Sequence, residues 1–274
     1  SCFDSKGNKV WSLDMMKEFA APNITWGFTE SLLIDGNNLY CTPGASDVAV
    51  AVLDRNTGKV LKKIKGNGQA STYCSPVIIT HNGRRILLQM MAESLIGIDV
   101  KSAEMIFEHK HITDYNINPN TPQYENGHIY IVSGYGTGGQ LLRLSTDGGK
   151  ITRVWASDKL DSQMGATIIH DGNIYGSGMK SRKWFCIDLM TGQEKFTSGE
   201  LGRKGNIIFA DEMLYIYSEK GDVALVKPND KKFDIVSSFK LTDGSGEHWA
   251  HPVIKNGKLY VRHGNILNIY NIAR

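Results

Sequence analysis

A unit of about 45 residues recurs six times along the chain, and this period restricts the fold more than any other feature of the sequence. Its anchor is a turn dipeptide, usually Asn-Gly or Asp-Gly, followed by an apolar residue and Tyr. The anchors run Asp35-Gly36-Asn37-Asn38-Leu39-Tyr40, Asn82-Gly83 with Ile86-Leu87, and Asn126-Gly127-His128-Ile129-Tyr130. They continue as Asp171-Gly172-Asn173-Ile174-Tyr175, Asp211-Glu212-Met213-Leu214-Tyr215 and Asn256-Gly257-Lys258-Leu259-Tyr260. From Tyr40 through Leu87, Tyr130, Tyr175 and Tyr215 to Tyr260 the steps are 47, 43, 45, 40 and 45 residues. Such dipeptides accept positive φ cheaply, so between alternating apolar runs each marks a hairpin tip.

A small polar residue, often with Pro, opens each unit: Ser31-Leu32, Ser75-Pro76, Thr121-Pro122, Ala166-Thr167, Asn206-Ile207 and His251-Pro252. Pro lacks an amide donor and fits the first position of a strand. Downstream, Asp54-Arg55-Asn56-Thr57-Gly58, Ile98-Asp99 and Asp188-Leu189-Met190-Thr191-Gly192 carry turn chemistry, the carboxylate accepting backbone amides. An aromatic follows four residues past the Gly position at Trp11, Phe107 and Phe196. Each unit therefore predicts four short strands, and the whole an all-β fold, a β-propeller of four-stranded antiparallel blades. The one helix expected lies in Leu13 to Ala21, capped by Asp14 and followed by Pro22.

Residues 26–274 hold the six repeats and 1–13 the end of a preceding one, all within a single domain, 1–274. The last unit stops after its third strand, Asn265 to Ile272. Val10 to Leu13 would close a ring of six by pairing there. Because Cys2 to Asp4 then duplicates a strand, an arc of a larger propeller, cut at its N-terminal side, fits better.

Composition excludes several classes. The net charge is +3 from 31 basic and 28 acidic residues, too small and too dispersed for a nucleic-acid surface. The longest apolar run, Val48 to Leu53, is far short of the ~20 residues of a membrane span. Ser1-Cys2-Phe3-Asp4 has no signal-peptide character. Cysteines 2, 41, 74 and 186 have no zinc-ligand spacing and lie in apolar or aromatic runs, which marks them as small buried residues.

The repeat wording Ala/Cys-x-Asp-x-x-Thr-Gly-x-x-x-Trp and Ser-Pro-apolar-x-x-x-Gly-x-Ile-Tyr resembles the PQQ-like β-propellers along the whole chain. These include quinoprotein alcohol dehydrogenases, polyvinyl-alcohol dehydrogenase relatives and an outer-membrane assembly lipoprotein. Trp26-Gly27-Phe28-Thr29-Glu30-Ser31, Ser133-Gly134-Tyr135-Gly136-Thr137-Gly138 and His248-Trp249-Ala250-His251-Pro252 resemble a secreted Bacteroidetes-type group of these repeat proteins. The resemblance implies a periplasmic or secreted place and further upstream repeats. In the quinoprotein enzymes it implies PQQ, a calcium ion held by Glu, Asn and Asp, a base Asp, and a disulfide of adjacent cysteines over the quinone. This chain has no Cys-Cys pair, and no positions match the calcium ligands. No cofactor or metal is therefore expected outside the quinoprotein alternative.

Three motifs have plainer explanations. Gly134 to Gly139 satisfies GxGxxG, but Gln140 to Leu144 alternates as a strand, so a flexible propeller loop is expected. His109-Lys110-His111 and Asp243-Gly244-Ser245-Gly246-Glu247 fall between repeats, where solvated loops are expected.

In a propeller the residues just before each first strand ring one mouth of the axial channel. Those positions hold Trp26, Glu30, Tyr73, Asn118, Asn120, Gln163, Arg203, Lys204, His248, Trp249 and His251. Trp26, Glu30, Tyr73, Asn120, Gln163, Lys204, His248, Trp249 and His251 are the candidate ligand-binding set, and their mixture of rings and polar groups suits a carbohydrate or protein ligand. The expected function is a noncatalytic, monomeric binding or scaffold propeller of the bacterial envelope. The alternatives are a quinoprotein-type oxidoreductase acting on an alcohol or polyol, and a hydrolase or lyase using Glu30 with His248 or His251.

Overall fold

The structure, a computed structural model, describes residues 1–273. The chain divides into two compact units, Ser1–Ile131 with Leu142–Arg153, and Val132–Leu141 with Val154–Arg274.

In the first unit β1 (Cys2–Phe3) pairs with β2 (Lys9–Trp11), and a short helix α1 (Met15–Phe19) follows. The Asp14 carboxylate accepts the amides of Met16 and Lys17 at 3.0 and 3.3 Å, and Ala20 ends the helix in the left-handed region, as the capping pattern predicts. Two four-stranded antiparallel sheets come next. One is β3 (Leu33–Asp35), β4 (Asn38–Cys41), β5 (Val50–Asp54) and β6 (Val60–Ile64). The other is β7 (Val77–His81), β8 (Arg84–Met90), β9 (Ser94–Asp99) and β10 (Glu104–Lys110).

The following sheet, β11 (Gln123–Glu125), β12 (His128–Ser133), β13 (Gly138–Leu144) and β14 (Ile151–Ser157), has strands assigned to both units. The second unit goes on with β15 (Thr167–His170), β16 (Asn173–Ser177), β17 (Trp184–Asp188) and β18 (Glu194–Ser198). Then come β19 (Gly205–Ala210), β20 (Met213–Ser218), β21 (Asp222–Lys227) and β22 (Asp234–Lys240). Three strands, β23 (Val253–Lys255), β24 (Lys258–His263) and β25 (Ile266–Asn271), complete it.

All six anchor turns are hairpin tips between the first and second strands of their sheets. The anchor Tyr sits on the second strand and faces the first, as in Leu33 to Tyr40, Gln123 to Tyr130, Ile168 to Tyr175 and Val253 to Tyr260. The Asp turns form as their chemistry dictates. One Asp54 oxygen accepts the amides of Asn56 and Thr57 and the Thr57 hydroxyl at 2.9 to 3.0 Å, and Asp188 repeats the pattern with Met190 and Thr191. Three of the third strands are enclosed on both faces: β9 is buried throughout, and β5 and β17 are buried except at their final Asp. Burial on two faces is what stacked blades require. In the first unit, Tyr40 and Val52 of one sheet share a core with Leu87 and Ile96 of the next. In the second, Trp184 and Tyr175 pack with Ile216 and Val226.

An aromatic dock secures successive repeats. The Trp11 indole N–H donates to the Arg55 carbonyl at 3.0 Å, and Trp155 donates to Leu189 at 2.9 Å, each acceptor being the second residue of the next repeat's Asp turn. Gly58 and Gly192, at φ +73° and +70°, lie against these indoles, where a Cβ would come within 2.5 and 2.7 Å of ring carbons. Glycine is needed there for both backbone and space.

Lys9 and Trp11 pair with β1. One expectation is corrected. His109 and Lys110 belong to β10, and His111 is 1% exposed with its imidazole pushed down to about 4 by burial, so this segment is not a solvated loop. The Asp243 to Glu247 segment is mostly exposed loop, and the GxGxxG run is the β12 to β13 turn. Among the described residues no helix is long and apolar enough to cross a membrane.

Candidate functional site

The nine candidate residues fall into two clusters, one in each unit. In the first, the turn at Ile24 to Gly27 leads to Glu30 ahead of β3, and Tyr73 precedes β7. Trp26 is 63% exposed, and its ring lies 5.5 Å from that of Tyr73. Tyr73 has φ +68°, a conformation that costs a bulky side chain energy and persists only where its surroundings hold it. Glu30 and Tyr73 line a small recess with Ile24, Phe28, Thr42 and Ser71.

The Glu30 carboxyl is the unusual group. Its Oε1 accepts the Thr42 amide at 2.7 Å, whereas its buried Oε2 has no hydrogen-bond partner. Burial raises the carboxyl to about 7 despite the Thr42 bonds that oppose the shift. The Ser71 hydroxyl, buried in the same recess, is likewise unpartnered. Cys41 and Cys74 are free thiols pushed up to about 12, by burial first and by the charge of Glu30 in addition. Asn120 is 7% exposed, and its carbonyl accepts the Cys74 thiol at 3.5 Å. Asn118 is fully buried, donating to the carbonyls of Met91 and Ala92.

In the second unit Gln163, Lys204, His248 and Trp249 line one small cavity with Asn206 and Glu219. Its polar groups largely satisfy one another. Gln163 donates to the Tyr135 hydroxyl at 2.9 Å and accepts from the Lys204 ammonium, which lies 3.9 Å from the Glu219 carboxylate. His248 meets the Tyr217 hydroxyl at 2.6 Å and stacks on His263 with ring centres 3.6 Å apart. Burial, then His263, lower its pKa. His251 donates from Nε2 to the Met164 carbonyl at 2.8 Å, and burial lowers its pKa as well. Trp249 is 52% exposed, with the Asn206 amide donating to its carbonyl at 3.3 Å. Arg203 points outward, while its carbonyl accepts the buried Trp184 indole at 2.9 Å.

Sequence reasoning missed Thr42, Ser71, Asn206, Glu219 and Tyr217. Asn206 stands at a strand-start position and was within reach. The others carry no periodic signal. Among the described residues no three or more His, Cys, Asp or Glu side chains come together as metal ligands.

The fold defines a protein of the β-propeller class. The chain matches the family described as outer membrane protein assembly factor BamB over residues 1–234, and it belongs to that family. Among solved structures it resembles BamB from Moraxella catarrhalis, at 16% identity and TM-score 0.66, covering 89% of this chain and 69% of that one. The computationally designed Ika8 protein matches at 11% identity and TM-score 0.64, over 89% and 70%. The Cps50 (Swd1) β-propeller domain of Myceliophteria thermophila matches at 12% and 0.57, over 91% and 88%. At such identities these likenesses establish the fold alone. No curated protein matches the sequence.

Proposed function

We propose that this chain is a noncatalytic scaffold propeller of the bacterial envelope that holds a protein partner, in keeping with the assembly role in its family's description. The family match over residues 1–234 carries this reading. The exposed rings of Trp26 and Trp249 support it, since each projects from a loop anchored by backbone hydrogen bonds and adds contact area at small entropic cost. The test places a photo-cross-linking amino acid at Trp26 or at Trp249, with the still more exposed Tyr115 as control, in cells that make the protein. Adducts with one envelope protein at either tryptophan, and none at Tyr115, are expected. Absence of adducts, or retention of PQQ with calcium and dye reduction by an alcohol, would overturn the reading.

A carbohydrate ligand is a second reading, favoured by the amide, ammonium, carboxylate and half-exposed indole that meet in the Gln163 to Trp249 cavity. A glycan screen by thermal shift, repeated on Trp249→Ala, tests it. Ligands whose shift survives the substitution would exclude this cavity.

A further inference from the structure

The recess of the first unit is more specific than a polar surface. Three oxygens from separate parts of the chain, Glu30 Oε2, Thr42 Oγ1 and Ser71 Oγ, are buried around it; Glu30 Oε2 and Ser71 Oγ have no hydrogen-bond partner, and the Thr42 hydroxyl bonds to the Glu30 carboxyl. Buried polar groups are normally paired, because leaving one unpaired forfeits its bonds to water. The three share a character. All can accept hydrogen bonds, and one belongs to a carboxyl group. A primary ammonium complements such a set, with three donors, no acceptor and one positive charge. The walls suit the carbon chain behind it, since Ile24 and Phe28 are apolar and Tyr73 is in ring contact with the exposed Trp26. Aromatic faces attract alkylammonium groups as well as their stems.

We propose that the recess formed by Glu30, Thr42 and Ser71 is a binding site for a primary alkylammonium group, supplied by a lysine side chain of the protein partner. The identity of the source rests on the scaffold reading above; the ammonium site itself does not. Bound there, the ammonium pairs with Glu30 Oε2, while Oε1 keeps the Thr42 amide. The recess then draws Glu30 into its ionised form. The titratable groups that feel Glu30, the Cys41 and Cys74 thiols, stay neutral at physiological pH and do not compete for the cation.

The experiment follows the Glu30 carboxyl by carbon-13 NMR in the intact chain, alone and with saturating Nα-acetyl-lysine amide. The free protein should titrate near 7. With the lysine amide the midpoint should fall by roughly one to three pH units, as it does for a carboxylate given a cationic partner. The diacetylated lysine amide, which has no ammonium, should leave it unmoved. Trp26→Ala, at an exposed side chain that folding does not depend on, should weaken binding roughly two- to fivefold. Glu30→Gln should weaken it more than tenfold if that variant folds. An unchanged midpoint would overturn the site. An equal fall with sodium, potassium or tetramethylammonium chloride at matched ionic strength would do the same. A larger fall with glycine amide would overturn lysine as the source. A lysine-specific fall in a protein that yields no cross-links would uphold the recess and remove the partner reading.

Discussion

Glu30 and Lys204 both stand just ahead of the first strand of their sheets, yet the two charges meet different surroundings. Lys204 bonds to Gln163 and lies near Glu219, and Gln163 in turn reaches Tyr135, so the charge in the second-unit cavity sits in a chain of bonded groups, with Asn206 Oδ1 beside it unpartnered. Glu30 meets no opposite charge: it receives the Thr42 amide and hydroxyl, its Oε2 has no partner, and the Ser71 hydroxyl beside it is also unpartnered. The repeat thus fixes where a side chain starts but not what it meets. Partners come from other repeats, whose polar residues differ. One cluster is built for rigidity, and the other holds unused hydrogen-bonding capacity.

The largest expected effect tests that contrast through pH. The folded protein holds the Glu30 proton more tightly than the unfolded chain does, so stability falls as pH rises from the ordinary glutamate value of 4.5 to about 7. Urea unfolding of Glu30→Gln should therefore show a variant more stable than wild type by ~3 kcal/mol above that window, with the advantage vanishing below it. A pH-independent difference would mean that the carboxyl is not desolvated.

Tyr217→Phe should cost ~1 to 2 kcal/mol in the second unit, because it removes the hydroxyl bonded to His248 and leaves that ring nitrogen unpaired. Ser71→Ala should act in the opposite direction. Removing an unpartnered buried hydroxyl should be neutral or stabilise by up to ~1 kcal/mol, measured by the same unfolding curves. If it destabilises as Tyr217→Phe does, the two clusters are alike and the contrast fails. The smallest effect belongs to Trp249→Ala, which should change stability by less than ~0.5 kcal/mol, since about half of this side chain already faces water. A loss of several kcal/mol would make Trp249 a packing residue and remove it from the binding surface.

The sequence by itself determined the hairpins, the Asp turns, the short capped helix and hence the propeller, because each depends on residues within a few positions of one another. Asn126-Gly127 turns the chain wherever it stands, and Asp54 finds Asn56 and Thr57 without help from the rest of the molecule. The sequence also placed Trp26, Glu30, Tyr73, Gln163, Lys204, His248 and Trp249 near strand starts. Only the tertiary structure decided that Asn120 is buried against Cys74 and that His111 is enclosed. It alone brought Ser71 to Glu30, joined His248 to Tyr217 across 31 positions, and joined His251 to Met164 across 87. Turn chemistry acts over a few residues and leaves a periodic trace. Burial and hydrogen bonding between repeats depend on which side chains the packed sheets bring face to face, and no local pattern records that.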